Sequence, residues 1–390
     1  MIFRKKIALR ATEICLLSKL IIGKFLSLFY KYRKENIWLL SERGHEARDN
    51  AYFFFLYLKK NHPEVKAKYI ISFDSKDFHR LSQYREDLVE YDSMEHYIMI
   101  CSAKYLISTH IAGYTTHLDF FTKLDYLYNV FRNHRRVFLQ HGITKSDMPQ
   151  FYEERTHLDL FICGARPEYE YIIDKFHYAK GQVQYTGLCR YDNLNDASSF
   201  AKKQILLMPT WRMYIREQSF EETDYYKTYK KLLASPELSD ILEKYDYDLV
   251  FYPHYEIQKH IASFKKLQLN NRIVIADFDY DVQTLLKESA ALITDYSSVC
   301  FDMAYMYKPI IMFHFDKEEF YAKHYAKCYF EESNLGKVVV DFNTLYSSLE
   351  ELLQLGCKIS DEYRIYSDSF FEYRDNNNCN RVFAAINSLK

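Results

Sequence analysis

The stretch from Leu292 to Phe313 constrains the fold more than any other part of this chain. It reads LITDYSSVCFDMAYMYKPIIMF, a pattern of buried strand, polar turn, apolar helix and second strand. Antiparallel strands can be joined by a two-residue hairpin, whereas parallel strands need a longer crossover that is usually a helix. The stretch therefore predicts a parallel βαβ unit and places the chain in the α/β class.

The same alternation of strands and helices occurs in both halves of the 390 residues. The predicted strands are 37–40, 67–73, 88–89, 105–108, 136–139 and 158–163, followed by 204–208, 248–252, 272–275, the strand that begins at 292, 310–313 and 337–340. A polar run at 193–199 separates the halves, and this length suits two domains. We therefore predict two doubly wound, Rossmann-like domains facing a cleft, because such sheets bind ligands beyond the carboxyl ends of their strands.

The predicted organisation is a basic segment at 1–36, a first domain at 37–190, a second domain at 191–375 and a C-terminal helix at 376–390. Lys19 and Lys24 interrupt the apolar run of the basic segment, so no uncharged stretch is long enough to span a bilayer. No small-residue cleavage site stands out, which disfavours a signal peptide. The segment indicates a basic amphipathic helix on an anionic membrane surface; the alternative is a helix packed on the first domain.

Net charge, cysteine usage and missing motifs exclude several classes of protein. The net charge of −1 provides no basic field for nucleic acid. The eight cysteines are scattered without a CxxC pair, which is typical of a reducing compartment and argues against a zinc site. The chain has no P-loop, GxGxxG, HExxH or GxSxG motif, so the kinases, dinucleotide folds, zinc proteases and α/β-hydrolases that use them lose support. We predict neither a metal nor a cofactor.

Two histidines follow predicted strands, one in each domain. His141 stands in the sequence Gln140-His141-Gly142-Ile143-Thr144-Lys145, and His254 holds the equivalent position in the second domain. An imidazole with a pKa near 6.5 can act as a general base, and Gly142 lets a substrate approach. Facing each other across a cleft, one histidine could take a proton from a hydroxyl while the other binds phosphate. A histidine on a loop more often makes only a structural hydrogen bond, and that alternative stays open.

Ser297 and Ser298 form the polar turn of the opening stretch. Hydroxyls and backbone N–H groups at the start of a helix attract phosphate, and the helix dipole adds to the attraction. Asp302 lies one helical turn after Ser298 and can return to the same pocket. The alternative is an ordinary capped helix, since Ser and Asp are favoured at helix starts.

Two arginines lie near other strand ends. Arg190 stands beside a turn glycine in Gly187-Leu188-Cys189-Arg190-Tyr191-Asp192, and Arg212 closes the run Pro209-Thr210-Trp211-Arg212. Guanidinium groups bind phosphate oxygens bidentately. Either arginine alone fits a surface salt bridge better. Together with the serine turn they predict a pyrophosphate cradle made without metal.

The ordered set of these motifs resembles the CDP-glycerol/CDP-ribitol glycerophosphotransferase family, the bacterial teichoic acid primases and polymerases with a GT-B-like fold. The matching segments span most of 137–382 and are Gln140–Gly142, Gly187–Asp192, Met208–Arg212, Pro253-His254, Thr294–Ser298 with Asp302, Lys308-Pro309 with Asp316, and Tyr373–Asp375. The family loop usually reads His-Gly-Thr-Pro, whereas this chain has Ile143-Thr144 after the glycine. By length the chain looks like a short, primase-sized member.

The resemblance implies that His141 is the base acting on the acceptor hydroxyl and that His254 is a second functional histidine. It implies that the CDP-alditol is held, mostly through its phosphates, by Arg190, Thr210, Ser297, Ser298 and Asp302. The predicted substrate-binding set is completed by Gln140, Gly142, Thr144, Pro209 and Arg212.

The predicted reaction is transfer of glycerol phosphate or ribitol phosphate from the CDP-alditol to a hydroxyl, with release of CMP. We expect a lipid-linked glycan or polyol-phosphate acceptor and peripheral attachment to the cytoplasmic face of the cell membrane. One alternative is a GT-B glycosyltransferase that uses a nucleotide sugar. Another is a non-catalytic module that binds an anionic polymer or membrane.

Overall fold

The computed structural model describes residues 10–29, 36–194, 201–216, 218–323, 328–330 and 332–389. The elements of the first domain are α1 Ala11–Ser27, β1 Ile37–Ser41, α2 Asn50–Asn61, β2 Lys66–Ile71, β3 Leu88–Glu90, α3 Met94–Ser102, β4 Tyr105–Ser108, α4 Leu118–Tyr128, β5 Arg135–Phe138, α5 Glu153–Thr156, β6 Leu160–Cys163, α6 Arg166–Lys175 and β7 Val183–Tyr185. The elements that follow are β8 Lys202–Leu207, α7 Asp224–Leu233, α8 Pro236–Tyr245, β9 Asp248–Phe251, α9 Tyr255–Gln258, α10 Ile261–Lys265, β10 Ile273–Ile275, α11 Val282–Glu288, β11 Ser289–Thr294, α12 Val299–Tyr305, β12 Ile310–Phe313, α13 Lys317–Lys323, β13 Lys337–Val339, α14 Phe342–Gln354, α15 Asp361–Phe370 and α16 Asn378–Asn387.

Within the described residues, the first sheet has seven parallel strands in the order β3-β2-β1-β4-β5-β6-β7. Its central strands are buried from end to end: Leu39 and Leu40 of β1 and Leu106 and Ile107 of β4 are wholly inaccessible to solvent. A parallel sheet is covered by helices on both faces, which is why these strands read as continuous apolar runs. The strand order reverses between β1 and β4, so a crevice opens there at the carboxyl edge.

The second sheet of the described chain has six parallel strands in the order β10-β9-β8-β11-β12-β13, with its own reversal between β8 and β11. Strand β11, helix α12 and strand β12 form the βαβ unit of the opening stretch, in which Leu292 pairs with Ile310. The prediction of two doubly wound α/β domains is therefore confirmed. Strand β7 escaped prediction because it has only three residues, one of them the polar Gln184.

The chain crosses back to the first domain at its C-terminus. The side chains of Val382 and Ile386 in α16 pack in the core of the first domain, and the Phe383 ring lies 5.7 Å from that of Trp38. Asp192 accepts hydrogen bonds from two N–H groups at the start of α16, those of Asn378 and Cys379, at 2.8 and 2.9 Å. The last helix thus joins the end of the second domain to the first.

Helix α1 packs on the first domain along one side. Leu16, Leu17 and Leu20 contact the core beside α3, and Lys19 forms a 2.9 Å ion pair with Asp92. Only α1, Ala11–Ser27, falls within the described part of the predicted basic segment; residues 1–9 and 30–35 lie outside it. No helix among the described residues is both long enough and apolar enough to cross a bilayer.

Candidate active site

A cavity of about 570 Å³ lies between the two domains, at the carboxyl ends of their strands. This volume is typical of a site for a small ligand. Six of the predicted residues line it: His141, Arg190, His254, Ser297, Ser298 and Asp302. Sequence reasoning placed these residues at strand ends, and the fold brings them to one place.

His141 is held on a tight loop directly after β5. Gln140 takes a left-handed backbone conformation with φ of +59°, which turns the chain sharply. The His141 Nδ1 lies 3.3 Å from the Thr109 carbonyl and donates to it in the matching tautomer. In that tautomer Nε2 carries the lone pair, and no described residue is bonded to it. Burial, together with the positive charges of Arg43 and Arg190, lowers the pKa of His141 to about 4, so its imidazole is neutral at pH 7.

A second imidazole, that of His110, stacks on His141. The two ring centroids are 4.4 Å apart and the ring planes differ by 8°. Burial holds the pKa of His110 well below the ordinary value, so the pair remains uncharged. His110 follows β4 in the same way that His141 follows β5, so the strand-end rule applies to it as well, although it was not among the predicted residues.

Gln140 and Thr144 lie beneath this loop and do not line the cavity. The Thr144 hydroxyl donates to the Gln140 side-chain oxygen at 2.8 Å, and the Gln140 amide donates to the Ile162 carbonyl at 2.6 Å. Glu168 accepts from both the Thr144 backbone and the Gln140 side chain, at 2.6 and 2.9 Å. The side-chain polar atoms of both residues are thus engaged inside the first domain, where they brace the His141 loop, and their contact with substrate stays a prediction.

Gly142 and Ser298 meet where the two domains come together. A Cβ atom at position 142 would lie 2.7 Å from the Ser298 hydroxyl oxygen, so only glycine fits without displacing it. Ser298 immediately precedes α12, and the Ser297 hydroxyl accepts a 3.4 Å bond from the Val299 N–H. The predicted serine turn and the His141 loop thus confront each other across the cavity.

Arg190 links the His141 loop to helix α12, which follows the serine turn. Its guanidinium donates to both oxygens of Asp302 on α12, at 2.8 and 3.0 Å, and also to Asp49 and to the His141 carbonyl. The side chain is almost wholly buried, so these donors are already taken. Arg190 and Asp302 form a buried ion pair that links the first domain to the second, and the role of both residues in holding phosphate stays a prediction.

Arg212 likewise forms buried ion pairs, in this case within the second domain. It has no exposed surface and donates to both oxygens of Asp316, at 2.6 and 3.0 Å, while Asp295 lies 2.9 Å away. Asp295 also accepts the Thr210 N–H at 2.8 Å, so the two strand-end loops are braced against each other. The Arg212 guanidinium is buried among carboxylates and does not line the cavity in this conformation, so its role in substrate binding stays a prediction. Pro209 and Thr210 lie on this braced loop, outside the cavity lining; Pro209 is buried, and the Thr210 hydroxyl has no partner among the described residues.

His254 caps the short helix α9 in the second domain. Its Nδ1 accepts a 3.2 Å bond from the Glu256 N–H, which leaves the proton on Nε2. The Trp211 ring stacks near it, with centroids 6.3 Å apart. An Nε2–H group on the cavity wall is a hydrogen-bond donor suited to an anionic oxygen.

Charged residues of the first domain that sequence reasoning missed also line the cavity. Arg43, Arg48 and Asp49 come from the loop after β1, which begins with the polar run Ser41–Gly44. Glu42 accepts three backbone N–H groups of this loop, those of Arg48, Asp49 and Tyr52. The rule that polar residues at strand ends build sites applies to this strand too and would have found them.

The family model for CDP-Glycerol:Poly(glycerophosphate) glycerophosphotransferase matches residues 22–388. The minor teichoic acid biosynthesis protein GgaB of Bacillus subtilis (strain 168) is 32% identical over an alignment of 376 residues that covers 93% of this chain and 41% of GgaB. The teichoic acid poly(ribitol-phosphate) polymerase of Bacillus spizizenii is 27% identical over an alignment of 203 residues that covers 49% of this chain and 28% of that protein. This chain therefore spans less than half the length of either relative.

Among solved structures, the wall teichoic acid polymerase TagF has a similar fold, with a TM-score of 0.65 at 18% sequence identity and coverage of 98% of this chain and 99% of that one. The likeness confirms the GT-B-like architecture. With the family model covering most of its length, the chain belongs to the CDP-glycerol:poly(glycerophosphate) glycerophosphotransferase family.

Proposed function

We propose that this chain transfers glycerol phosphate or ribitol phosphate from a CDP-alditol to a hydroxyl of a lipid-linked glycan or polyol-phosphate acceptor, with release of CMP. The observation that carries the proposal is the meeting of a neutral His141 imidazole and the Ser297–Ser298 turn across one interdomain cavity. The first supplies a base and the second a place for phosphate, as in-line phosphoryl transfer requires.

The proposed step begins with His141 accepting the proton of the acceptor hydroxyl at Nε2. The acceptor oxygen then attacks the alditol-bearing phosphorus, and the bond from that phosphorus to the bridging oxygen breaks. CMP leaves with the electron pair of this bond. Ser297, Ser298 and the Nε2–H of His254 hold the charged oxygens, so that catalysis depends on positioning and on stabilising spread negative charge.

The test is to incubate the protein with CDP-glycerol, CDP-ribitol or UDP-sugars, together with a short polyol-phosphate lipid acceptor. CMP release that depends on the acceptor supports the proposal, and the donor that releases more CMP identifies the alditol. Release of UDP instead would make the chain a GT-B glycosyltransferase. If no nucleotide raises the melting temperature, the chain is a non-catalytic module, because a bound donor must stabilise the fold by mass action.

The proposal includes attachment to the cytoplasmic surface of the membrane through α1. The outer side of this helix carries a stripe of exposed apolar residues, including Ile14, Ile21 and Phe25, the last two about 60% exposed. These positions recur at three- to four-residue and seven-residue spacings and so share one face. An apolar face of this kind, within a basic segment, suits an anionic lipid surface.

The double variant Ile21→Glu/Phe25→Glu is expected to lose about 100-fold in affinity for anionic vesicles, since burying each side chain in the interface contributes about 1.5–3 kcal/mol. Flotation with phosphatidylglycerol vesicles measures the affinity. Ile365→Glu is the matched control, because Ile365 is an exposed apolar residue on α15 of the second domain. Equal flotation of the double variant and the wild type would contradict membrane attachment through α1.

A further inference from the structure

Glu168 is a wholly buried carboxylate beneath the His141 loop, and the proposed mechanism does not use it. Its Oε2 accepts the backbone N–H groups of Gly164 and Ala165, at 2.7 and 3.4 Å. Its Oε1 accepts the Thr144 N–H at 2.6 Å and the Gln140 side-chain amide at 2.9 Å. One oxygen therefore serves the start of α6, and the other serves the loop that carries His141.

The bonds to Oε1 close the loop at both of its ends. Gln140 precedes His141 and Thr144 lies three residues after it, and the Thr144 hydroxyl joins them directly. The second domain adds to this hold, since the Tyr329 hydroxyl donates to the Thr144 carbonyl at 2.8 Å. An ordinary helix-capping glutamate needs only the bonds of Oε2, so the bonds of Oε1 call for another explanation.

We propose that Glu168 is a positioning residue whose carboxylate holds residues 140–144 in the conformation that aims His141 into the cavity. This inference rests on the proposed function, in which His141 is the base. A displacement of about 1 Å in a reacting group can lower the rate about 100-fold. Because Glu168 anchors both ends of the five-residue loop that carries His141, the loss of its bonds is expected to lower kcat.

The charge of Glu168 matters because every partner that the structure shows for it is an N–H donor. A protonated carboxyl would point its O–H at one of these donors and lose at least one of the four bonds. Burial raises the pKa of Glu168 to about 7, against the lowering effect of these bonds. The titratable groups that face it are Cys163, Tyr191 and Tyr329, and burial raises the pKa of each well above its ordinary value. Among these groups, Glu168 is therefore the one that changes charge near neutral pH.

Glu168→Gln tests the inference, because it keeps the shape of the side chain but replaces one acceptor oxygen with a donor. We expect kcat for CMP release to fall about 100-fold while KM for the CDP-alditol stays within about twofold. In the wild type, kcat should rise with a midpoint near pH 7 as Glu168 ionises, whereas the variant should lack that rise. Glu170→Gln, an exposed position on the same helix, is the matched control and should keep both the rate and the pH profile.

Hydrogen exchange of the peptide covering 140–146 gives a readout that does not depend on activity. Exchange should be faster in Glu168→Gln than in the wild type and unchanged in Glu170→Gln. If Glu168→Gln does not fold, Gln140→Leu takes its place, because it removes one of the two loop bonds to Oε1. A kcat and an exchange rate equal to those of the wild type would then overturn the inference. It is also overturned if the variant melts earlier but keeps its kcat. A wild type that releases no CMP refutes the proposed function instead, and the exchange data still report whether Glu168 holds the loop.

Discussion

Replacing His141 with alanine is expected to lower CMP release by about 100- to 10,000-fold while the protein stays folded. The loss is large because the imidazole is the base of the proposed reaction and, by its lowered pKa, is already neutral at pH 7. The fold should survive because the ring faces the cavity and its one described hydrogen bond is to the Thr109 carbonyl. The measurement is the initial rate of CMP release at saturating CDP-alditol.

Two controls distinguish the loss of the catalytic base from the loss of the folded structure. His177→Ala removes an exposed histidine that pairs with Glu154 at the surface, and it should leave the rate unchanged. The His141→Ala protein should still gain thermal stability from the CDP-alditol, since the phosphate-holding groups of the second domain remain. CMP release by His141→Ala at more than a tenth of the wild-type rate would show that another group is the base.

Replacing Arg190 with alanine is expected to lower the free energy of unfolding by about 3–5 kcal/mol. The change leaves the buried carboxylate of Asp302 and the partly buried carboxylate of Asp49 without their cation, and it removes the link from Asp302 to the His141 carbonyl. Guanidinium unfolding followed by tryptophan fluorescence measures the loss in both domains, because Trp38 lies in the first and Trp211 in the second.

The loss in Arg190→Ala should depend on pH. Burial already raises the pKa of Asp49 to about 6, against the lowering effect of Arg190, so without the guanidinium this pKa rises further above its unfolded value. The folded variant then binds more protons than the unfolded chain, so its deficit is largest at pH 8 and shrinks as the pH falls toward 5.

Arg135→Ala is the control for Arg190→Ala, since Arg135 pairs with Asp159 at the surface, where an ion pair contributes at most about 1 kcal/mol. Equal losses in the two variants, or a loss in Arg190→Ala that does not change with pH, would show that the Arg190–Asp302 pair does not join the domains as described.

The positions of His141, His254 and the two serines were predictable because they follow from a local rule. Each stands directly after a strand that can be recognised from its apolar run, and parallel strands bring their carboxyl ends to one edge. The same rule applied to β1 and β4 would have added Arg43 and His110. Sequence reasoning missed them because their polar neighbours matched no motif that had been assigned a function.

The roles of Arg190 and Arg212 were not predictable from local sequence. Their carboxylate partners, Asp302 and Asp316, lie 112 and 104 residues further along the chain. A guanidinium beside a turn looks the same in sequence whether it meets a phosphate or a buried aspartate. The bonds of Gln140 and Thr144 beneath the loop were not predictable for a related reason, since Glu168, their common partner, belongs to a separate helix.

What the sequence by itself determined is the α/β class, the two-domain layout and the strand ends that carry polar residues, because hydrophobic periodicity and turn chemistry act over a few residues. Only the tertiary structure decided which polar groups face the cavity and which are bonded to other residues inside the protein. A buried charge must find a partner, and the partner is chosen by packing between distant elements, not by neighbours in the chain.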